Sequence, residues 1–196
     1  MFTGIIEALG NVSSIETRSA GARLRIECPW LKPGAEGMSI AVNGVCLTAI
    51  DLSATTFSAD LAPETLVRTN LGDLANGSRV NLEWPATPQT FLSGHLVQGH
   101  VDGTGELLSI EALGDGNWWL KIRVPHSLER YLVHKGSITI DGISLTIARL
   151  EENSTVCVAI IPHTYRHTTL GSAKTGSRLN LEVDVIAKYV EKLLAR

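Results

Sequence analysis

Cys46 and Ser144 are two side chains of this sequence whose types and spacing suit nucleophilic or water-orienting chemistry. Each opens the same run, Cys46-Leu47-Thr48 and Ser144-Leu145-Thr146, after a matching Asn43-Gly44 or Asp141-Gly142 pair. An imidazole at His100 adds the side chain suited to proton transfer near neutral pH. The three positions matter together because they are places where two similar stretches of the chain differ. Cys46 matches Ser144, His100 matches Ile5, and Glu64 matches His163. Taken singly, each also has a plain structural reading. A cysteine packs as a small hydrophobe, a histidine beside a turn is hydrogen-bonded at the surface, threonines such as Thr48 and Thr146 are good strand formers, and Lys135 before Gly136 is solvated.

Metal and nucleotide chemistry find less support. None of the six histidines makes an H-x-x-x-H pair on a convincing helix, and His95 and His100 in a strand-like segment point to opposite faces. Cys28, Cys46 and Cys157 contain no C-x-x-C pair and read as free thiols. The glycines at 99, 103 and 105 match neither a dinucleotide fingerprint nor a phosphate loop.

The elements that must hold these residues come in two copies. Gly77-Ser78-Arg79-Val80-Asn81-Leu82-Glu83 recurs as Gly176-Ser177-Arg178-Leu179-Asn180-Leu181-Glu182, with six of seven residues identical. Pro63 to Gly72 matches Pro162 to Gly171, Gly4-Ile5-Ile6-Glu7 matches Gly99-His100-Val101-Asp102, and the order of blocks is kept. The copies span 1–88 and 95–183, joined by a Pro-containing stretch between Trp84 and Gly94. Alternation over Arg23–Cys28 and Trp118–Val124, β-branched runs at Ser137–Ile140 and Thr155–Ile161, and turn pairs at Asn43-Gly44, Asp102-Gly103, Asp115-Gly116 and Asp141-Gly142 predict many short strands in small barrels. Short helical turns are expected at Pro63 and Pro162. A longer helix is expected over 184–196, capped by Asp184, striped by Val185, Ile186, Tyr189, Val190, Leu193 and Leu194, and basic at Lys188, Lys192 and Arg196. So short a helix needs packing, either on its own chain or on another copy.

Composition narrows the function. With 17 Lys and Arg against 20 Asp and Glu and 44% hydrophobic residues, the 196-residue chain is an ordinary folded protein without the basic surplus of a nucleic-acid binder. No stretch nears the ~18 consecutive apolar residues of a membrane span, and the first ten residues lack a secretory pattern, so a cytoplasmic address and no membrane partner are expected.

The start Met1-Phe2-Thr3-Gly4-Ile5-Ile6-Glu7, the run Asn43 to Thr48, Gly94-His95-Leu96-Val97-Gln98-Gly99-His100-Val101-Asp102-Gly103, and Asp141 to Thr146 resemble the riboflavin synthase alpha chain over the full length. The resemblance implies an all-β chain of tandem six-stranded Greek-key barrels, a C-terminal helix that assembles a homotrimer, and no cofactor. The implied reaction is a dismutation. Two molecules of 6,7-dimethyl-8-ribityllumazine exchange four carbons, giving riboflavin and 5-amino-6-ribitylamino-pyrimidinedione. The implied site lies between the first barrel of one chain and the second barrel of its neighbour. It also implies two pockets. Gly4, Ile5, Ile6, Cys46, Leu47, Thr48, Asp60, Leu61, Ala62, Pro63, Glu64 and Thr65 form the first, edged by Gly99, His100 and Val101. Lys135, Ser144, Leu145, Thr146, Ile160, Ile161, Pro162, His163, Thr164 and Tyr165 form the second. His100, assisted by Cys46 and Ser144, is expected to handle protons and nucleophilic addition. Departures from the family pattern are Ser93 for a glycine, Trp84-Pro85 for a more basic joint, and Tyr165 for a leucine. The related possibilities are a non-catalytic lumazine- or flavin-binding antenna protein and a flavin reductase barrel. Docking with lumazine synthase stays open.

Overall fold

The computed structural model describes residues 1–29, 31 and 34–195. Strands β1 (Ala8–Arg18), β2 (Gly21–Glu27), β3 (Ser39–Val42), β4 (Val45–Thr48), β5 (Thr56–Leu61) and β6 (Arg79–Glu83) form one sheet in the order β4-β3-β6-β1-β2-β5. Strands β7 (Gly103–Gly114), β8 (Asn117–Arg123), β9 (Ser137–Ile140), β10 (Ile143–Glu151), β11 (Thr155–Ile160) and β12 (Arg178–Val183) close into a barrel of the same antiparallel Greek-key order. Alternation explains both interiors. Leu24 and Ile26 of β2, and Leu120 and Ile122 of β8, point inward and are fully buried. Each barrel has its own apolar core.

The first sheet closes less completely than the second. Strand β10 runs nine residues and reaches β11, whereas β4 stops after four and meets β5 through the single bridge Ile50 to Ser58. Asp51, with φ of 50°, turns the chain away there.

The turns behave as their residue types require. Asn43-Gly44, Asp115-Gly116 and Asp141-Gly142 all take positive φ, the geometry of a tight hairpin. Asp102-Gly103 does not form the expected turn. Asp102 instead accepts the Val183 N–H at 3.0 Å and pairs with Lys188 at 2.7 Å, tying the second barrel to the last helix.

Helices α1 (Pro63–Arg68) and α2 (Pro162–His167) start on proline, as expected, and each leads into a short 3₁₀ turn. Helix α3 (Val185–Leu194) is capped by Asp184, whose side chain accepts the Ile186 N–H at 2.9 Å. Arg196, expected at its end, lies outside the described residues. Most of the α3 stripe is exposed among the described residues. Tyr189, Leu193 and Leu194 are 66%, 73% and 78% exposed, while Ile186, Val190 and Leu194 flank a groove of about 720 Å³ against Tyr131 and Val133. Trp84, expected in the joint, is instead buried in the first core, its backbone N–H donating to Glu7.

Candidate functional site

Two carboxylates organise the site. Glu83 at the end of β6 accepts the Thr3 N–H at 2.6 Å, the Thr3 hydroxyl at 2.8 Å and the Gly4 N–H at 3.0 Å. Its counterpart Glu182 in β12 accepts the N–H groups of Gln98, Gly99 and His100 at 2.7, 3.0 and 3.1 Å. Burial pushes both carboxyl pKa values up, and the backbone N–H donors pull them back. Both residues are legible in sequence only as the last letter of the repeated block. Their equal spacing is the available signal, but a glutamate ending a strand reads as solvated.

Each clamped loop then crosses to the other barrel. Gly4 and Gly99 take φ of 78° and 79°, and their carbonyls accept the backbone N–H of Ser144 at 2.7 Å and of Cys46 at 2.8 Å. A Cβ on Gly4 would stand 2.6 Å from Ser144 Cβ, and one on Gly99 would stand 2.7 Å from Cys46 Cβ, so only glycine permits these approaches. Between the crossings Phe2 and Val97 exchange two backbone hydrogen bonds and fasten the loops together.

This crossing corrects the expected grouping. Gly4 sits on Ser144 of the second barrel, and Ile6 packs on the second core. The segment of Gly4, Ile5 and Ile6 therefore belongs with Ser144, Leu145 and Thr146. Gly99 sits on Cys46, and Val101 packs on the first core, so Gly99, His100 and Val101 are a wall of the first cluster rather than its edge. The cause is the long-range backbone pairing just described, which leaves no periodic trace in sequence.

Around Cys46, Thr48 and His100 are exposed, Leu47 and Leu61 are buried, and Ala62, Pro63 and Glu64 form an exposed lip ahead of half-buried Thr65. Glu64 faces its own helix partner Arg68. Asp60 is drawn outward, since its oxygens accept Arg23 Nε and Nη2 at 2.7 and 2.8 Å, and the Arg23 hydrogen bond holds its pKa down. Around Ser144, Leu145 is half-buried, Thr146 and Ile161 are exposed, and Ile160 is buried. His163 stacks on His167, and Tyr165 stacks on Trp118 with ring centroids 4.4 Å apart, so one face of Tyr165 is already covered. Lys135 is exposed at φ of 66°, where the first copy has Gly37 at 89°.

Among the described residues His95 joins no group of three metal-ligating side chains, and sequence reasoning gives it no other role. The chain from Gln89 to His100 is a loop with one bridge, not the expected strand. His95 is nevertheless buried, with Nδ1 2.7 Å from Ser144 Oγ. Cys46 has no imidazole against it among the described residues. Chemically the arrangement offers two related clusters, each with a small nucleophile-type side chain, hydroxyls and open backbone, one cluster backed by a buried histidine and the other walled by a loop that carries an exposed one.

A lumazine-binding-domain model matches residues 3–85 and 98–184. The chain is 52% identical to the riboflavin synthase of Mycobacterium tuberculosis, covering 99% of this chain and 98% of that protein, and 43% identical to that of Bacillus subtilis, covering 99% and 90%. Crystal structures of LumP complexed with 6,7-dimethyl-8-(1'-D-ribityl) lumazine and with riboflavin share the fold at TM-scores of 0.83 and 0.85. Identity is 23% and 24%, over 93% of this chain and 99% of LumP. No described helix is long and apolar enough to cross a membrane.

Proposed function

The chain belongs to the riboflavin synthase family of lumazine-binding proteins, and we propose that it converts two molecules of 6,7-dimethyl-8-ribityllumazine into riboflavin and 5-amino-6-ribitylamino-pyrimidinedione. The observation that carries this reading is full-length identity of 52% to a riboflavin synthase, against 23% to LumP.

A duplicated domain suits this exchange because both reactants are the same molecule. Each cluster holds one flat ring, and the differences between clusters decide which ring gives four carbons and which receives them. The C7 methyl of the lumazine is acidic because its carbanion spreads into the ring, so no strong base is required. Orientation is the main task, and holding two reactants in reactive geometry is worth about 7 to 11 kcal/mol of barrier. The residues around Cys46 and Gly99 bind one lumazine, and those around Ser144 and Gly4 bind the other. Backbone groups read the ring edges, while the hydroxyls of Thr48, Thr65, Thr146 and Thr164 serve ring or ribityl oxygens. His100 moves the proton, with Cys46 and Ser144 as nucleophile or water-orienting groups.

The first cluster of one chain faces the second cluster of a neighbour in a cytoplasmic homotrimer, and no cofactor takes part. Support comes from the exposed apolar stripe of α3, which lacks a covering element among the described residues. Incubating the purified protein with the lumazine, with mass measured in solution, tests both parts. Riboflavin formation by a trimer is expected; tight binding without product would favour an antenna protein, and full activity in a strict monomer would sink the shared site.

A further inference from the structure

We infer that the groove of about 440 Å³ on the pseudo-twofold axis between the two barrels binds a phosphate group, anchored by Arg79. The inference stands apart from the lumazine exchange, because none of the residues assigned to either cluster lines this groove.

Matching residues of the two copies line it in pairs, Asn43 with Asp141, Ser78 with Ser177 and Arg79 with Arg178. One half is satisfied from within the chain. Arg178 Nε donates to Thr104 Oγ1 at 3.0 Å, Nη1 to Asp73 Oδ2 at 3.2 Å and Nη2 to the Val67 carbonyl at 2.7 Å. The other half has the same backbone. The Thr169 N–H donates to Asn81 Oδ1 at 2.8 Å just as the Asn70 N–H donates to Asn180 Oδ1 at 2.7 Å, so β6 meets the turn after α2 as β12 meets the turn after α1. The side chains there have changed. Ser172 stands in the place of Asp73, and Leu9, which pairs with Asn81 as Thr104 pairs with Asn180, stands in the place of Thr104. The Arg79 guanidinium is left without a partner among the described residues, and Arg79 is exposed where Arg178 is half-buried.

Charge is asymmetric in the same sense. Where the satisfied half has Val67 and Ala75, the other has Arg166 and Lys174, both exposed and in no ion pair among the described residues. The two carboxylates lining the groove are already engaged, Asp73 by Arg178 and the buried Asp141 by Asn70 Nδ2 and the Asn180 N–H, each at 2.8 Å. An oxyanion would restore at Arg79 what Asp73 gives Arg178. A guanidinium binds two phosphate oxygens side by side. The hydroxyls of Ser78 and Ser177 each accept a backbone N–H, from Ala75 and Lys174, and keep their own protons to donate to a further oxygen. A carboxylate would use the guanidinium alone, whereas the remaining oxygens and second charge of a phosphate also engage the serines and the basic rim.

Isothermal titration of the full-length protein with potassium phosphate, at constant ionic strength, tests the site. Saturable binding is expected for phosphate and not for acetate or chloride, and Arg79→Gln should weaken it by about tenfold or more. Ser172→Asp supplies from the chain the carboxylate that Arg178 already has; it should abolish phosphate binding and raise Tm in phosphate-free buffer. Arg123→Gln removes an equal charge from an arginine paired with Glu106 on the second barrel, and should leave the phosphate Kd within about twofold. Glycerol phosphate titrated in parallel separates the sources: binding of both ligands assigns a phosphate monoester, and binding of inorganic phosphate alone assigns the free ion.

Phosphate binding no tighter than acetate, Arg79→Gln or Ser172→Asp binding as wild type, or Arg123→Gln weakening binding as much as Arg79→Gln would overturn the inference and leave Arg79 a solvated arginine. Failure to form riboflavin would sink the proposed function and leave these titrations unaffected.

Discussion

Gly44 and Gly142 meet back to back between the two barrels. A Cβ on Gly44 would lie 2.6 Å from Gly142 N, and one on Gly142 would lie 2.7 Å from Gly44 N. Around them Asn81 Nδ2 donates to the Asp141 carbonyl and Asn180 Nδ2 donates to the Asn43 carbonyl, at 2.9 and 2.8 Å. The two hairpins that carry Cys46 and Ser144 are therefore locked to each other at their turns. The relative placement of the two clusters within one chain is a property of this contact.

Gly44→Ala should destabilise the protein by about 2 kcal/mol or more, since it combines left-handed backbone strain with a clash against backbone. Gly77→Ala has the same backbone sign but open space, with φ of 86° and nothing within 4 Å of its Cβ, and should cost about half as much or less. Urea unfolding of both variants separates the clash from the strain; equal losses would show that the contact between turns contributes nothing.

Asp141→Asn should make stability less dependent on pH. Burial pushes the Asp141 carboxyl up to about 7, whereas an unfolded aspartate ionises near pH 4. Between those values the folded chain keeps a proton that the unfolded chain has released, so this group's contribution falls as pH rises from about 4 to about 7. The first copy already places an amide here, Asn43 Oδ1 accepting the Asn81 N–H at 2.8 Å just as Asp141 Oδ1 accepts that of Asn180. The gain in Tm of the Asn variant over wild type should therefore grow from pH 5 to pH 8. Parallel Tm curves would refute the buried charge as their cause.

What was legible in sequence follows range. The duplication showed because whole blocks repeat, and the Asn-Gly and Asp-Gly turns, the proline helix starts and the Asp184 cap showed because each is set by residues a few positions apart. Gly4 on Ser144 and Gly99 on Cys46 were hidden because the partners lie far apart in sequence and pair through backbone, which no side-chain pattern records. Asp102 misled for a related reason: its carboxylate is spent on Val183 and Lys188 across the barrel, leaving no turn at Gly103. Glu83, Glu182 and His95 were present as residue types, but burial is what gives each its role, and burial depended on the crossing.

Lys135→Gly should leave stability unchanged or raise it by up to about 1 kcal/mol, while lowering kcat/KM. A lysine at φ of 66° sits where the first copy uses Gly37, and both backbone N–H groups make the same bond, to Ile147 O and Ala49 O at 2.8 Å. Relief of strain roughly offsets the extra freedom of glycine in the unfolded chain. A structural lysine would instead show lost stability with unchanged kcat/KM in steady-state assays.

His100→Gln and Glu182→Gln should fail in different ways. The His100 backbone N–H is held by Glu182 at 3.1 Å while its ring is exposed, so glutamine removes the imidazole and leaves the loop in place. Turnover should fall by about tenfold or more with KM nearly unchanged, the signature of a group that acts in the reaction rather than in binding. Glu182→Gln keeps the imidazole but replaces one carboxylate oxygen with an amide NH₂. The carboxylate now serves three backbone donors, and an NH₂ facing any of them leaves buried groups unpaired, costing about 1 to 3 kcal/mol. The loop that carries Gly99 onto Cys46 should loosen, raising KM and lowering Tm together. If His100→Gln instead raised KM and left kcat intact, His100 would serve binding alone and proton transfer would have to be assigned elsewhere.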